Sequence, residues 1–153
     1  MKFFKFWMLT SIAALCTMLV ECGKPSAPST FTENDKAEIM RILDVQAIDW
    51  SDGDLEKFMK GYWKSDSMQF IGKSGIRFGW QPTLENYRKN FPDTVAMGKL
   101  RYEILKINPV SSDAVYLKGK FFLTRTIGDM NGIFTLVFRK IDGLWLIVYD
   151  HTS

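Results

Sequence analysis

Few side chains in this sequence are suited to move a proton or grip a ligand. There is one histidine, His151, and two cysteines, Cys16 and Cys22. Histidine titrates near neutrality and so suits proton transfer. His151 closes the apolar run "DGLWLIVYDHTS". In a strand, alternate side chains share a face. Trp145, Ile147, Tyr149 and His151 are therefore expected on one side, with Leu144, Leu146, Val148 and Asp150 on the other. On that reading Asp150 cannot orient His151, and an acidic partner would have to come from Asp49, Asp66 or Asp93. His151 is a weak catalytic candidate, set against a strand-end histidine bonded to a backbone carbonyl. The segments "FTLVF" and "WLIVY" carry no carboxylate, and Glu103 is alone on its strand. A carboxylate base on a strand wall is thus not visible. One histidine, with no cysteine after Cys22, implies no metal site. "GKSG" lacks the spacing of a phosphate-cradling loop, and no cofactor is expected.

Aromatic residues carry more information. Tyrosine and tryptophan combine a large apolar body with a polar tip, which suits a pocket wall. Tyr62, Trp80, Tyr87, Trp145 and Tyr149 are expected to line one mostly apolar cavity. Tyr116, Lys118 and Lys120 form a polar row on a strand whose other face carries Val115, Leu117 and Phe121. That row reads as a solvated face, or as one that offers Lys120 to an anionic group.

The elements that must position these residues follow from patterning. A formal net charge of +3 without a basic, aromatic-interleaved run argues against nucleic acid. Lys2 and Lys5 precede an uncharged stretch from Phe6 to Val20, the layout of an export signal. "LVEC" resembles a bacterial lipoprotein cleavage box with Cys22 as the lipidated residue, although Glu21 departs from the usual small residue. The expected organisation is a signal peptide over 1–22, a flexible tether over 23–33 and a folded domain over 34–153. The protein is expected to be exported, either periplasmic or anchored to the membrane through lipid on Cys22.

Within the domain, Met40, Leu43, Ala47 and Trp50 recur at helical spacing. "SDGD" ends that helix, and "LEKFMKGYW" predicts a second, antiparallel one. "SMQFIGKSGIRFGW" predicts a short hairpin, and "PTLENYRKNF" a helix stopped by Pro92. Four long antiparallel strands follow, the first, "KLRYEILKINPV", closed by Asn108-Pro109, with turns at "GDMNG" and "IDG". The fold class is α+β, with about three helices packed on one face of a curved sheet.

The closing stretch "FTLVFRKIDGLWLIVYDHTS", the "DGDLEKF" turn and the hairpin ending in "FGW" resemble the nuclear-transport-factor-2-like superfamily. The likeness is to its SnoaL-like branch and to the association domain of calcium/calmodulin-dependent kinase II. It implies a cone-shaped, cystatin-like fold enclosing a pocket, and often a homodimer formed through the sheet. It also turns the Trp145-to-His151 row toward the pocket or its mouth, and sets Lys120 near a basic pocket position of the kinase domain. The leading functional expectation is an exported binding domain for a small apolar or weakly anionic ligand, with Tyr62, Trp80, Tyr87, Lys120, Trp145, Tyr149 and His151 as its contacts. A cofactor-free isomerase, dehydratase, cyclase or hydrolase is the alternative, and a ligand-free structural or assembly dimer is another.

Overall fold

Residues 30–153 are described in a computed structural model. The expected signal, Cys22 and most of the tether fall outside the described residues. Among the described residues, no helix is long and apolar enough to cross a membrane.

Helix α1 (Glu33–Ser51) buries Asp35, Ile39, Leu43, Gln46 and Trp50. Steps of three and four residues keep these side chains on one stripe. Gly53, at φ +83°, takes the left-handed conformation that follows the helix end. Asp54 then caps α2 (Leu55–Phe58) by accepting the Lys57 amide proton. The longer second helix expected here shortens to this single turn and a 3-10 turn over Met59–Gly61. Gly61 lies against α1, where a Cβ would stand 2.7 Å from Gln46 Nε2. The chain then forms β1 (Gln69–Gly72), β2 (Gly75–Phe78), α3 (Trp80–Asn90) and α4 (Thr94–Met97). Four long strands complete it: β3 (Lys99–Ser111), β4 (Ala114–Thr124), β5 (Met130–Ile141) and β6 (Leu144–Thr152). The single-turn helix α4 was not expected from the sequence.

The six strands form one sheet in the order β2-β1-β6-β5-β4-β3. All pairs are antiparallel except β1 with β6, which run parallel. Cross-strand partners share a face, so register identifies the inner rows. One row runs Phe70, Asp150, Leu136, Leu117 and Ile107. The next carries Thr152, Phe134, Gly119 and Ile104. The helices cover this face and close the core over it.

The expected facing of β6 is corrected at Val148. Val137 pairs with Tyr149 and Phe138 with Ile147, so Val148 is an extra residue, a β-bulge. A bulge advances the strand by one residue and reverses the faces beyond it. Trp145 and Ile147 point inward as expected. After the bulge Asp150 points inward too, while Tyr149 and His151 turn out.

Asp35 ties the start of α1 to the β5–β6 hairpin. Its carboxylate accepts Lys140 Nζ at 2.8 Å, Trp145 Nε1 at 2.9 Å and the Thr32 amide at 3.0 Å. Phe31 packs edge-on against Trp145 at 5.9 Å. Phe31 and Thr32, read from sequence as tether, therefore belong to the domain. The hydrogen bond from Lys140, then those from Thr32 and Trp145, hold the Asp35 carboxyl far below the ordinary aspartate range. A depressed folded-state pKa contributes stability that is present above the unfolded value and lost as pH falls. Asp35→Asn is expected to lower the melting temperature at pH 7 and to flatten the acid-side loss of stability below about pH 5. Thermal melts of both proteins across that range check this.

Candidate functional site

Asp150 is the one carboxylate on the inner face of β6, and it is 3% exposed. Its two oxygens are held separately. Tyr62 donates its hydroxyl to Oδ2 at 2.7 Å, and Thr152 donates to Oδ1 at 2.8 Å. Tyr62 follows the 3-10 turn and is fixed by a bridge to Ile147 and by the Trp63 amide bond to the Ile147 carbonyl. Tyr87 comes from α3, and its hydroxyl adjoins that of Tyr62. Tyr102 comes from the inner face of β3, near enough to feel the Asp150 charge. Among the described residues, no lysine or arginine forms an ion pair with Asp150.

Aromatic rings surround this cluster. Tyr87 meets Phe58 and Phe70 edge-on, each at 5.5 Å, and Trp50 at 5.6 Å. Tyr102 meets Phe134 at 5.2 Å. Gly119 makes this arrangement possible, because a Cβ there would collide with the Phe134 ring. Gly132 similarly leaves room for Phe121, whose ring lies 2.6 Å from where its Cβ would stand. Several inner residues at the open end of the sheet, Phe91, Tyr102, Phe121 and Thr152, stay half-buried.

Burial sets the electrostatics. It pushes the Asp150 carboxyl up to about 6, against the opposing pull of the Tyr62 and Thr152 hydrogen bonds. The same desolvation, followed by the charge of Asp150, raises the hydroxyls of Tyr62, Tyr87 and Tyr102. All three stay protonated and are donors near neutrality. The arrangement offers one titratable carboxyl and three phenolic donors in an apolar surround.

The structure brings together only part of the expected site. Tyr62 and Tyr87 meet at Asp150. Trp80 is half-buried beside the 3-10 turn and donates to the Met59 carbonyl at 2.9 Å. Trp145 lies inside but is committed to Asp35. Lys120, Tyr149 and His151 are on the outer face, contrary to their expected place in the pocket. Lys120 is opposite Glu103, with Nζ 3.8 Å from its carboxylate. His151 sits between Ile71 and Thr135, exposed. Two clefts lie outside the interior. One of about 520 Å³ is lined by Ser51, Thr94, Lys99, Thr124 and Arg125 among others. The other, of about 350 Å³, lies between α1 and β6 and includes Ile42, Val45, Lys60, Leu144 and Trp145. Neither includes Asp150 or its tyrosines. Among the described residues, no group of three His, Cys, Asp or Glu side chains could hold a metal.

Asp150, Thr152 and Tyr102 were not singled out from the sequence. Tyr102 was legible in principle, because it alternates with Leu100 and Ile104. Asp150 was not, because the bulge that turns it inward leaves no mark in the residue pattern.

Known structures share this architecture. An NTF2-like protein of unknown function from Shewanella oneidensis MR-1 is 36% identical, with a TM-score of 0.74, over 77% of this chain and 98% of its own. A ketosteroid isomerase-like protein from Erwinia carotovora atroseptica is 17% identical, with a TM-score of 0.63, over 80% of this chain and 97% of its own. A putative calcium/calmodulin-dependent protein kinase II association domain from Xanthomonas campestris is 22% identical, with a TM-score of 0.59, over 76% of this chain and 84% of its own. No family model matches the chain, and no curated protein does. The identity and coverage shared with the Shewanella protein show that this chain belongs to the NTF2-like family. The other two likenesses show the fold.

The raised carboxyl has a defined consequence for stability. Its folded-state pKa lies above the unfolded value, so the folded protein binds the extra proton between about pH 4 and 6. Stability from this group therefore falls as pH rises through that window and stays low above it. Asp150→Asn removes the charge and keeps an acceptor for Tyr62. It is expected to stabilise the protein at pH 8, by at most on the order of 3 kcal/mol. The gain should vanish near pH 4. Denaturant unfolding at the two pH values measures both.

Proposed function

We propose that this chain is an exported small-molecule-binding domain whose ligand enters the open end of the sheet and is held at Asp150. The observation that carries this reading is a buried carboxylate whose partners among the described residues are two hydroxyls and no lysine or arginine. A polar group in an apolar interior is unfavourable unless its bonds are completed, and a ligand completes them. The ligand body is apolar, matching the rings of Phe91, Tyr102, Phe121 and Phe134. The outward position of Lys120 removes the support for an anionic head group.

A second reading, a cofactor-free isomerase, dehydratase, cyclase or hydrolase, is favoured by one feature. A carboxyl titrating at about 6 beside tyrosine donors is poised for acid–base chemistry near neutral pH. In that case Asp150, not His151, carries the proton.

The outer sheet face supports a homodimer. It exposes Leu105 and Ile133 and half-exposes Val137, Phe122 and Tyr149, and the helices cover only the opposite face. An assembly role without a ligand would use this same surface. Native mass spectrometry of protein purified from its own host tests both parts. The expected result is a dimer carrying a small non-protein mass. A dimer without that mass overturns the binding reading, and a monomer overturns the dimer.

Export and lipid anchoring at Cys22 complete the proposal, supported by the basic head and apolar stretch of residues 1–22. Cys22→Ser is expected to move the protein out of the membrane fraction or leave it unprocessed, while Cys16→Ser changes nothing. A Cys22 variant that fractionates like wild type removes the anchor.

A further inference from the structure

We infer that the head group recognised at Asp150 is an organic ammonium, a protonated or quaternary amine on an apolar body. This rests on the binding reading above and names its ligand class. Two independent features point to a cation. The first is the incomplete charge balance of Asp150. An ionised carboxylate buried in apolar surroundings is strongly disfavoured unless it is paired, and its partners here are two neutral hydroxyls. Each oxygen accepts one hydrogen bond and keeps further acceptor capacity. The second is the company of rings. Phe70 is the partner of Asp150 across the sheet, Tyr87 packs against Phe70 at 5.5 Å and Tyr62 bonds the carboxylate, and aromatic rings attract cations through their quadrupoles. An anion would meet a buried carboxylate that no lysine or arginine pairs among the described residues. A neutral ligand would leave the carboxylate unpaired.

The groups that face Asp150 define the pH response. They are Tyr62 before β1, Phe70 on β1, Tyr87 on α3, Tyr102 on β3, Leu136 on β5 and Thr152 on β6. The tyrosines stay protonated across the working range. His151 is adjacent but lies on the outer face, where its charge acts on Asp150 only weakly, last among the influences on it. Asp150 is therefore the group that switches. Ammonium binding strengthens as it ionises and weakens as it takes up a proton.

The test uses three probes of one shape but different charge: benzylammonium, benzyl alcohol and benzoate. Binding is followed by NMR at pH 8 and pH 5, with the Asp150 carboxyl observed directly through a carbon-13 label. Benzylammonium is expected to bind about tenfold more tightly than benzyl alcohol at pH 8, the ratio that one unit of pKa shift represents. Benzoate should not bind. The preference should disappear at pH 5 and in Asp150→Asn. Saturating benzylammonium should also lower the Asp150 pKa in the wild-type protein by about one unit, a readout that does not depend on any variant folding. Equal binding of the alcohol and the ammonium, or an Asp150 pKa that does not fall, overturns the cation assignment and leaves the binding domain standing. If no probe at millimolar concentration perturbs Asp150 or its tyrosines, both readings fail.

Discussion

One extra residue in the last strand, Val148, determines what the interior of this protein contains. Without the bulge, β6 would alternate evenly from Trp145 to His151, and a histidine would face the helices while the aspartate met solvent. With it, Asp150 enters the core and His151 leaves. Much of the rest follows from that exchange. Tyr62 is placed to cap one carboxylate oxygen because the segment before β1 bridges to Ile147, just ahead of the bulge. Phe70 and Leu136 flank the carboxylate because both are its partners across the sheet. The bulge also bends the strand, as the irregularity at Leu105 does in β3, and such bends give a sheet the curvature that holds helices over one face.

Two buried acids illustrate how environment, not residue type, decides electrostatic behaviour. Asp35 and Asp150 are both nearly inaccessible. Asp35 faces a lysine, an indole N–H and a backbone amide, so its charged form is the favoured one. It acts as a structural clamp between the first helix and the final hairpin. Asp150 has only hydroxyl partners and aromatic neighbours, so desolvation wins and its charged form is disfavoured. A structural acid gains nothing from that condition, whereas a site that must respond to a ligand or a proton does. The contrast supports the proposed role of Asp150 as the site's carboxyl.

Membership of the NTF2-like family establishes the architecture and leaves the chemistry to local detail, because one fold serves many functions. Here that detail lies in small residues as much as in polar ones. Gly119 and Gly132 let phenylalanine rings lie along the sheet, which brings the aromatic walls close to the carboxylate. Trp50 holds the other side, stacking edge-on with Phe58, Tyr87 and Phe91 while its indole nitrogen donates to the Met97 carbonyl.

Local residue patterns determined a good deal of this protein. The stripe through Leu43 and Trp50, the Gly53–Asp54 break, the Gly-Lys-Ser-Gly hairpin, the helix before Pro92 and the four long strands all reflect short-range physics, which spacing and turn chemistry express directly. Their order carried the family resemblance. Tyr87 was recognisable as inward-facing from its helical spacing, whereas Tyr62 lies beyond the shortened second helix and is set inward by its bridge to Ile147. The tertiary structure alone decided the rest. A bulge depends on how two strands register, so no count along β6 could show that Asp150 and His151 exchange faces. The parallel pairing of β1 with β6, between residues 80 positions apart, brought Phe70 to Asp150. The outward turn of Lys120 depended likewise on its partners in β3 and β5. Periodicity specifies which residues share a face within an unbroken element. Pairing between distant elements specifies where that periodicity is interrupted and which face becomes the inside.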